Sequence, residues 1–301
     1  TELDKRRLAA GKYFLVSVRV PDSVEYCNAI GLDLNTWFSN GLADILFTTS
    51  YIHLNNWNYS AEIAHKHQIP VYPSLDETRV KSEIPRHKRN SVRGYYSRIM
   101  NVWNSDCDGI FMFNNSGLRD MNQNIEQNWS RLDAGTYQEG LAATVKGKDF
   151  VNTLSKTYFV SFRGVGAVAG DALPHLDYIN VPTLNHFARI SMPKETERDV
   201  AILISDDINM AVSKGTTPKA TVSVLILGKP DSVDISLNAV ALKLTATESE
   251  NTDLASDAVE FVLTGELPIQ SIICGENIFR FHTTGLITLL DLWVDMEYPD
   301  K

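Results

Sequence analysis

Little in this sequence points to a metal, a membrane or a nucleic acid. Cysteine is scarce: Cys27, Cys107 and Cys274 are widely spaced and odd in number, which excludes a disulfide framework and a metal-ligand cluster. They read as buried apolar thiols. No run of about 18 apolar residues occurs, so no helical membrane span is expected, and the opening TELDKRRLAAGKYF lacks the apolar core of a signal peptide. Positive charge is in deficit, with 28 Lys and Arg against 37 Asp and Glu and a formal net charge of −9. That balance argues against a broad surface for nucleic acid.

Phosphate and acyl-transfer signatures are missing as well. No G-x-G-x-x-G or Walker glycine loop follows a strand-like run, and no G-x-S-x-G elbow or paired Cys/His pattern appears. His65 and His67 lie two apart and face differently on a helix. Neither a metal nor another cofactor is expected.

What is present is apolar material for about two domains, with 44% hydrophobic residues in a chain of 301. The first half alternates strand-like runs with amphipathic stretches, the pattern of βα units around a parallel sheet. Expected strands are Tyr13 to Val20, Asp44 to Thr49, Ile69 to Leu75 and Gly109 to Asn114. The prolines of the third predict incomplete pairing. Helices are expected at Leu34 to Leu42, Tyr59 to Gln68 and Ser91 to Asn104, with a further short one near Asp149 to Lys156. From Phe187 onward, runs such as ARISM, DVAILIS, ATVSVLIL, VDISLNAVALKLTA and NIFRFHTT alternate with turn residues, which predicts an antiparallel β-sandwich.

Four parallel strands need either an open doubly wound sheet or a larger closed barrel. The missing phosphate loops disfavour the first, and polar and aromatic residues gather at the strands' C-terminal ends, as on the active face of a barrel. The runs VSVRVPDSVEYCNAIGLDLNTWFSNGLADILFTTSYIHLN, IPVYPSLDETR and CDGIFMFN resemble the second half of the barrel in bacterial family 10-like glycosyl hydrolases. Such proteins end in a small β-sandwich, to which GENIFRFHTTGLITLLDLWVDMEY is similar. The resemblance implies an α/β plus all-β chain: a partial (β/α)8 barrel of about four βα units with a transition segment over residues 1–183, then a sandwich over residues 184–301. It also implies four earlier βα units, supplied by an absent N-terminal half or replaced by a second copy completing the sheet. Secretion or a periplasmic or cell-surface location follows from the resemblance alone.

Glycoside hydrolysis needs two carboxyl groups across the scissile bond. Asp76 and Glu77, in SLDETR after the third strand, are the candidates for acid/base or nucleophile, with Glu77 preferred. Arg19 sits where the first strand ends, and Asp22 follows it. An Arg fork suits sugar hydroxyls, a carboxylate or a sulfate, and an internal ion pair with Asp22 or Asp76 is the other reading. Tyr51, His53 and Trp57 after the second strand, Tyr72 in the third, and Asn114 and Asn115 after the fourth are candidates for binding a sugar. Asp33 reads as a helix N-cap and Asp44 as structural. Lys81, Arg86, Lys88, Arg89, Arg93 and Arg98 form a basic cluster, read either as a solvated face or as steering for an anionic polysaccharide. The expected function is a glycoside hydrolase-like activity on an oligo- or polysaccharide, the alternative a noncatalytic carbohydrate-binding or scaffold fragment.

Overall fold

A computed structural model describes residues 2–11, 14–49, 53–75, 87–88, 91–112, 134–161, 190–249 and 259–299. Helix α1 (Glu2–Ala10) precedes strand β1 (Ser17–Val20), α2 (Val24–Ala29), α3 (Leu34–Ser39), β2 (Ile45–Thr48), α4 (Trp57–His65), β3 (Val71–Pro73) and α5 (Val92–Asn104). Three of these helices start where a side-chain oxygen accepts an otherwise orphaned N–H: Ser23 from Tyr26, Asp33 from Thr36 and Ser91 from Gly94. Asp44 binds the backbone N–H of Val16 at 2.7 Å and so ties the starts of β1 and β2 together.

The three strands are parallel and lie in sequence order, β1 beside β2 beside β3. The expected third strand contracts to three residues, in keeping with Pro70 and Pro73, each of which lacks a ladder donor. The expected fourth is reduced, among the described residues, to one parallel bridge between Ser74 and Phe111. Residues alternate between the two faces of a strand. Val20, Leu46 and Val71 point one way, into a core with Cys27 of α2, Phe38 of α3, Trp57 and Ala61 of α4 and Ile99 of α5. All of these helices therefore cover the same face.

Then follow α6 (Ala134–Lys146), α7 (Lys148–Val151), β4 (Lys156–Ser161), β5 (Ile190–Met192), β6 (Thr196–Ile204), α8 (Ile208–Ser213), β7 (Lys219–Gly228), β8 (Val233–Leu237), β9 (Val240–Ala241), β10 (Thr245–Glu248), β11 (Glu260–Leu267), β12 (Gly275–Thr283) and β13 (Ile287–Glu297). One sheet runs β10-β11-β7-β13-β4 with β5 also on β13; the other runs β6-β12-β8-β9. Their inner faces share one core in which Val222, Val224 and Leu292 meet Ile202, Phe279 and Phe281. The whole is thus mixed helix and sheet, with antiparallel sheets stacked as a sandwich. No described helix is long and apolar enough to cross a membrane.

Two further elements differ from expectation. The helix expected near Asp149 to Lys156 ends at Val151, and Lys156 instead opens an edge strand that pairs antiparallel with β13. VDISLNAVALKLTA is not one strand but three, because Asn238 and Ala239 take positive φ values of 47° and 69° and turn the chain into a hairpin.

A buried ion pair closes one end of the sandwich. Lys156 Nζ lies 2.8 Å from Asp206 Oδ1, with both side chains fully buried. Its remaining N–H groups donate to the carbonyls of Val151 and Leu154, so all three ammonium donors are used. Asp206 also accepts from the hydroxyls of Tyr158 and Tyr298, each at 2.7 Å. Burial pulls Lys156 below its ordinary value, and Asp206 opposes that pull. Removing one partner strands the other charge, so Lys156→Met is expected to lower unfolding free energy by about 3–5 kcal/mol in urea titrations. Arg280→Ala, which breaks a bidentate pair with Asp199 on the exposed face, should leave the midpoint in place.

Candidate functional site

The C-terminal ends of β1 and β2 are joined through one carboxyl group. Asp22, two residues beyond β1, is 1% exposed. Its Oδ1 accepts the Leu54 N–H at 2.9 Å, and its backbone carbonyl accepts from the Asn55 side-chain amide at 2.9 Å. On the other oxygen, the Thr49 hydroxyl donates at 3.4 Å and His53 Nε2 stands at 3.3 Å. Trp57 completes the ring: its indole N–H donates to Thr49 Oγ1 at 2.5 Å, and its ring stacks on His53 with centroids 4.6 Å apart.

The arrangement is costly to hold. Thr49 is β-branched yet sits at φ 70°, in the left-handed region that such residues rarely adopt. Burial pushes the Asp22 carboxyl up to about 6, against the lowering effects of His53 and the backbone N–H of Leu54. The adjacent Cys27 thiol, pushed up to about 12 by burial and by Asp22, stays protonated and donates to the carbonyl of Pro21.

On the sheet face away from the helices stands a second group. Arg19, Phe47 and Tyr72 are register partners across β1, β2 and β3. The Phe47 ring lies 5.7 Å from Tyr72 and 4.5 Å from Phe111, centroid to centroid. All four residues are half-buried, and the helices that build the core, α2 to α5, lie on the other face. Gly109 is required beside them, since a Cβ there would lie 2.7 Å from a Tyr72 ring carbon.

Of the residues singled out in the sequence, Asp22, His53 and Trp57 come together, and Arg19 and Tyr72 share the opposite face of the same strands. Trp57 is 2% exposed and Asp22 is buried, so from these positions they hold the loops, whereas His53 keeps 16% of its side chain accessible. Tyr51, Asp76, Glu77, Asn114 and Asn115 lie outside the described residues. Phe47, Phe111 and Thr49 were not anticipated. The signal for Phe47 was its phase in DILFTT, opposite to the buried Leu46 and Thr48.

Three members of the basic cluster are engaged internally. Lys88 Nζ sits 4.9 Å above the Trp293 ring and 3.5 Å from Asp295, Arg93 pairs with Glu297 at 3.3 Å, and buried Arg98 donates to the carbonyls of Leu75 and Gly94. Lys81, Arg86 and Arg89 lie outside the described residues. His65 pairs with Asp108 at 2.9 Å, and that same carboxylate accepts the Val71 N–H where β3 starts, at the rim remote from Asp22. Among the described residues, no group of three or more His, Cys, Asp or Glu could hold a metal ion.

No protein-family profile matches the chain, so the family 10-like resemblance gains no support, and no curated protein matches it either. Among solved structures it is similar to BuGH86 in complex with neoagarooctaose, at TM-score 0.26 and 9% identity over 49% of this chain and 28% of that one. It is also similar to BpGH86A, a β-porphyranase of glycoside hydrolase family 86 from the human gut bacterium Bacteroides plebeius. There the TM-score is 0.26 and the identity 9%, over 95% of this chain and 63% of that one. The chain thus spans only part of either protein, and likeness at this level assigns it to no family.

The raised carboxyl has a pH consequence of definite sign. Between the ordinary Asp value of 3.8 and the folded value of about 6, the native state binds more protons than the unfolded one. Asp22 therefore costs stability as pH rises through that window, by about 3 kcal/mol at pH 7. Unfolding free energies measured from pH 4 to pH 7 should fall for the wild type relative to Asp22→Asn. Parallel curves would show that the carboxyl carries no such strain.

Proposed function

We propose that this chain belongs to a carbohydrate-active protein, and that its parallel strands are an arc of a (β/α)8 barrel whose C-terminal rim binds a glycan. Sequential strand order with α2 to α5 on one face suits an arc of a closed barrel; a doubly wound sheet reverses its order and carries helices on both faces. Further barrel strands, or a second copy of the chain, cover the free edges of the sheet.

The observation that carries the reading is the row of Arg19, Phe47 and Tyr72 abreast on the helix-free face, with Phe111 against it. Aromatic faces suit the C–H surface of a sugar, and a guanidinium supplies directed donors to its hydroxyls or to a sulfate or carboxylate. Tyr51, His53, Asn114 and Asn115 belong to the same mouth in this reading, with Asp22 and Trp57 supporting it from below. Asp76 and Glu77, in the loop after β3, supply acid/base chemistry, with Glu77 as the principal group and a second carboxyl from outside the described residues. A secreted or cell-surface setting accompanies a polysaccharide substrate.

A noncatalytic carbohydrate-binding role is the second reading. It is favoured by Asp22, which among the described residues is the carboxyl closest after the end of a parallel strand and yet is buried and engaged by loop donors.

Affinity electrophoresis through gels containing xylan, agarose or alginate tests both. Retardation by at least one polysaccharide is expected, weakened about tenfold in Phe47→Ala and in Tyr72→Ala. Loss of hydrolysis in Glu77→Gln with retardation kept would assign the enzyme; retardation without hydrolysis by the wild type would assign the binding module. Unretarded migration in all three gels would count against a glycan ligand.

A further inference from the structure

The buried pair at the end of the sandwich consists of two groups that can react with each other. Lys156 opens β4 in one sheet, Asp206 lies two residues beyond β6 of the other, and both side chains are fully buried. Lys156 Nζ touches Asp206 Oδ1 at 2.8 Å, so the carboxyl carbon is one bond further on. Burial pulls the ammonium towards the neutral amine, which is the nucleophilic form. Of its three acceptors, the carbonyls of Val151 and Leu154 are not bases, whereas Asp206 is. Loss of a proton within the pair therefore leaves two N–H bonds on those carbonyls and turns the lone pair towards Asp206. Tyr158 and Tyr298, held protonated by burial and by Asp206, donate to Oδ2 and Oδ1, where negative charge collects once the carbon is attacked.

We propose that Lys156 and Asp206 condense to an isopeptide bond that joins the two sheets covalently. Nζ passes a proton to Oδ1, and its lone pair then attacks Cγ to form the Nζ–Cγ bond. A second proton passes from Nζ to Oδ1, the Cγ–Oδ1 bond breaks, and Oδ1 leaves with its electron pair as water. Oδ2 carries the negative charge in between, under the Tyr158 hydroxyl, and becomes the amide oxygen. An ammonium and a carboxylate thus give one amide and one water, with no oxidant, metal or further reactant. The ion pair is the reactant state, and its conversion removes two charges that are costly to keep out of water. No disulfide supplies such a tie, since Cys27, Cys107 and Cys274 are all free. The bond is independent of the glycan reading.

The intact mass of the purified full chain, measured under denaturing conditions after incubation at neutral pH, tests it. The expected mass is one water below that of the sequence, and proteolysis should map the loss to a branched peptide that joins the Lys156 segment to the Asp206 segment. Lys156→Arg should keep the full mass, because a guanidinium stays protonated and offers no lone pair. A wild-type chain at the full sequence mass would overturn the proposal, and this result needs no variant to fold. So would a loss that persists in Lys156→Arg, or one that maps elsewhere, such as a succinimide at Asp108 and Gly109.

Discussion

Right-handed crossovers between parallel strands laid down in sequence order put the connecting helices on one face of the sheet and leave the other face to the strands' own side chains. Val20, Leu46 and Val71 are committed to the helices by the alternation of the strands. The same alternation sends Arg19, Phe47 and Tyr72 to the other side in register, with no freedom to choose otherwise. At the strand ends, Asp22 holds the loop after β2 against the end of β1.

The sandwich is bound to this assembly through side chains as well as packing. Ser97 of α5 donates to the carbonyl of Thr157 in β4 at 2.7 Å, while Lys88 and Arg93 reach Asp295 and Glu297 of β13. Charges that look in sequence like a patch for an anionic ligand are thus partly spent on fixing one layer against the other. Within the sandwich, the Lys156–Asp206 pair links β4 of one sheet to the chain leaving β6 of the other. A buried charge pair is a poor source of stability on its own, but with every donor and acceptor satisfied it leaves only one way for these segments to meet.

Much of this architecture was legible in the sequence. The βα alternation, the helix of Ser91 to Asn104, the Asp33 cap and the long antiparallel run after Phe187 all correspond to elements of the structure. Extents were less legible, because strand length depends on partners: Tyr13 to Val20 has β-type composition, yet only Ser17–Val20 pairs. Strand β4 was hidden for the same reason, since its partner β13 lies more than a hundred residues along the chain. In the candidate site, residue types did not announce which side chains are buried. Trp57 read as a surface for sugar and is buried, while Phe47, which was not singled out, stands beside Tyr72 in register. A ring closed by contacts among Asp22, Thr49, His53 and Trp57 follows from the positive φ of Thr49, which sequence does not announce.

The account stands on the helix-free side of the parallel sheet being where ligand lies. Carbon-13 spectra of the aromatic rings, followed during titration with a mixed pool of agarose, xylan and alginate oligosaccharides, test that most directly. The account predicts saturable shifts in the rings of Phe47, Tyr72 and Phe111, with those of Phe279 and Phe281 in the sandwich core unmoved. Saturable shifts confined to sandwich rings, or no shifts at any ring of the row, would contradict it.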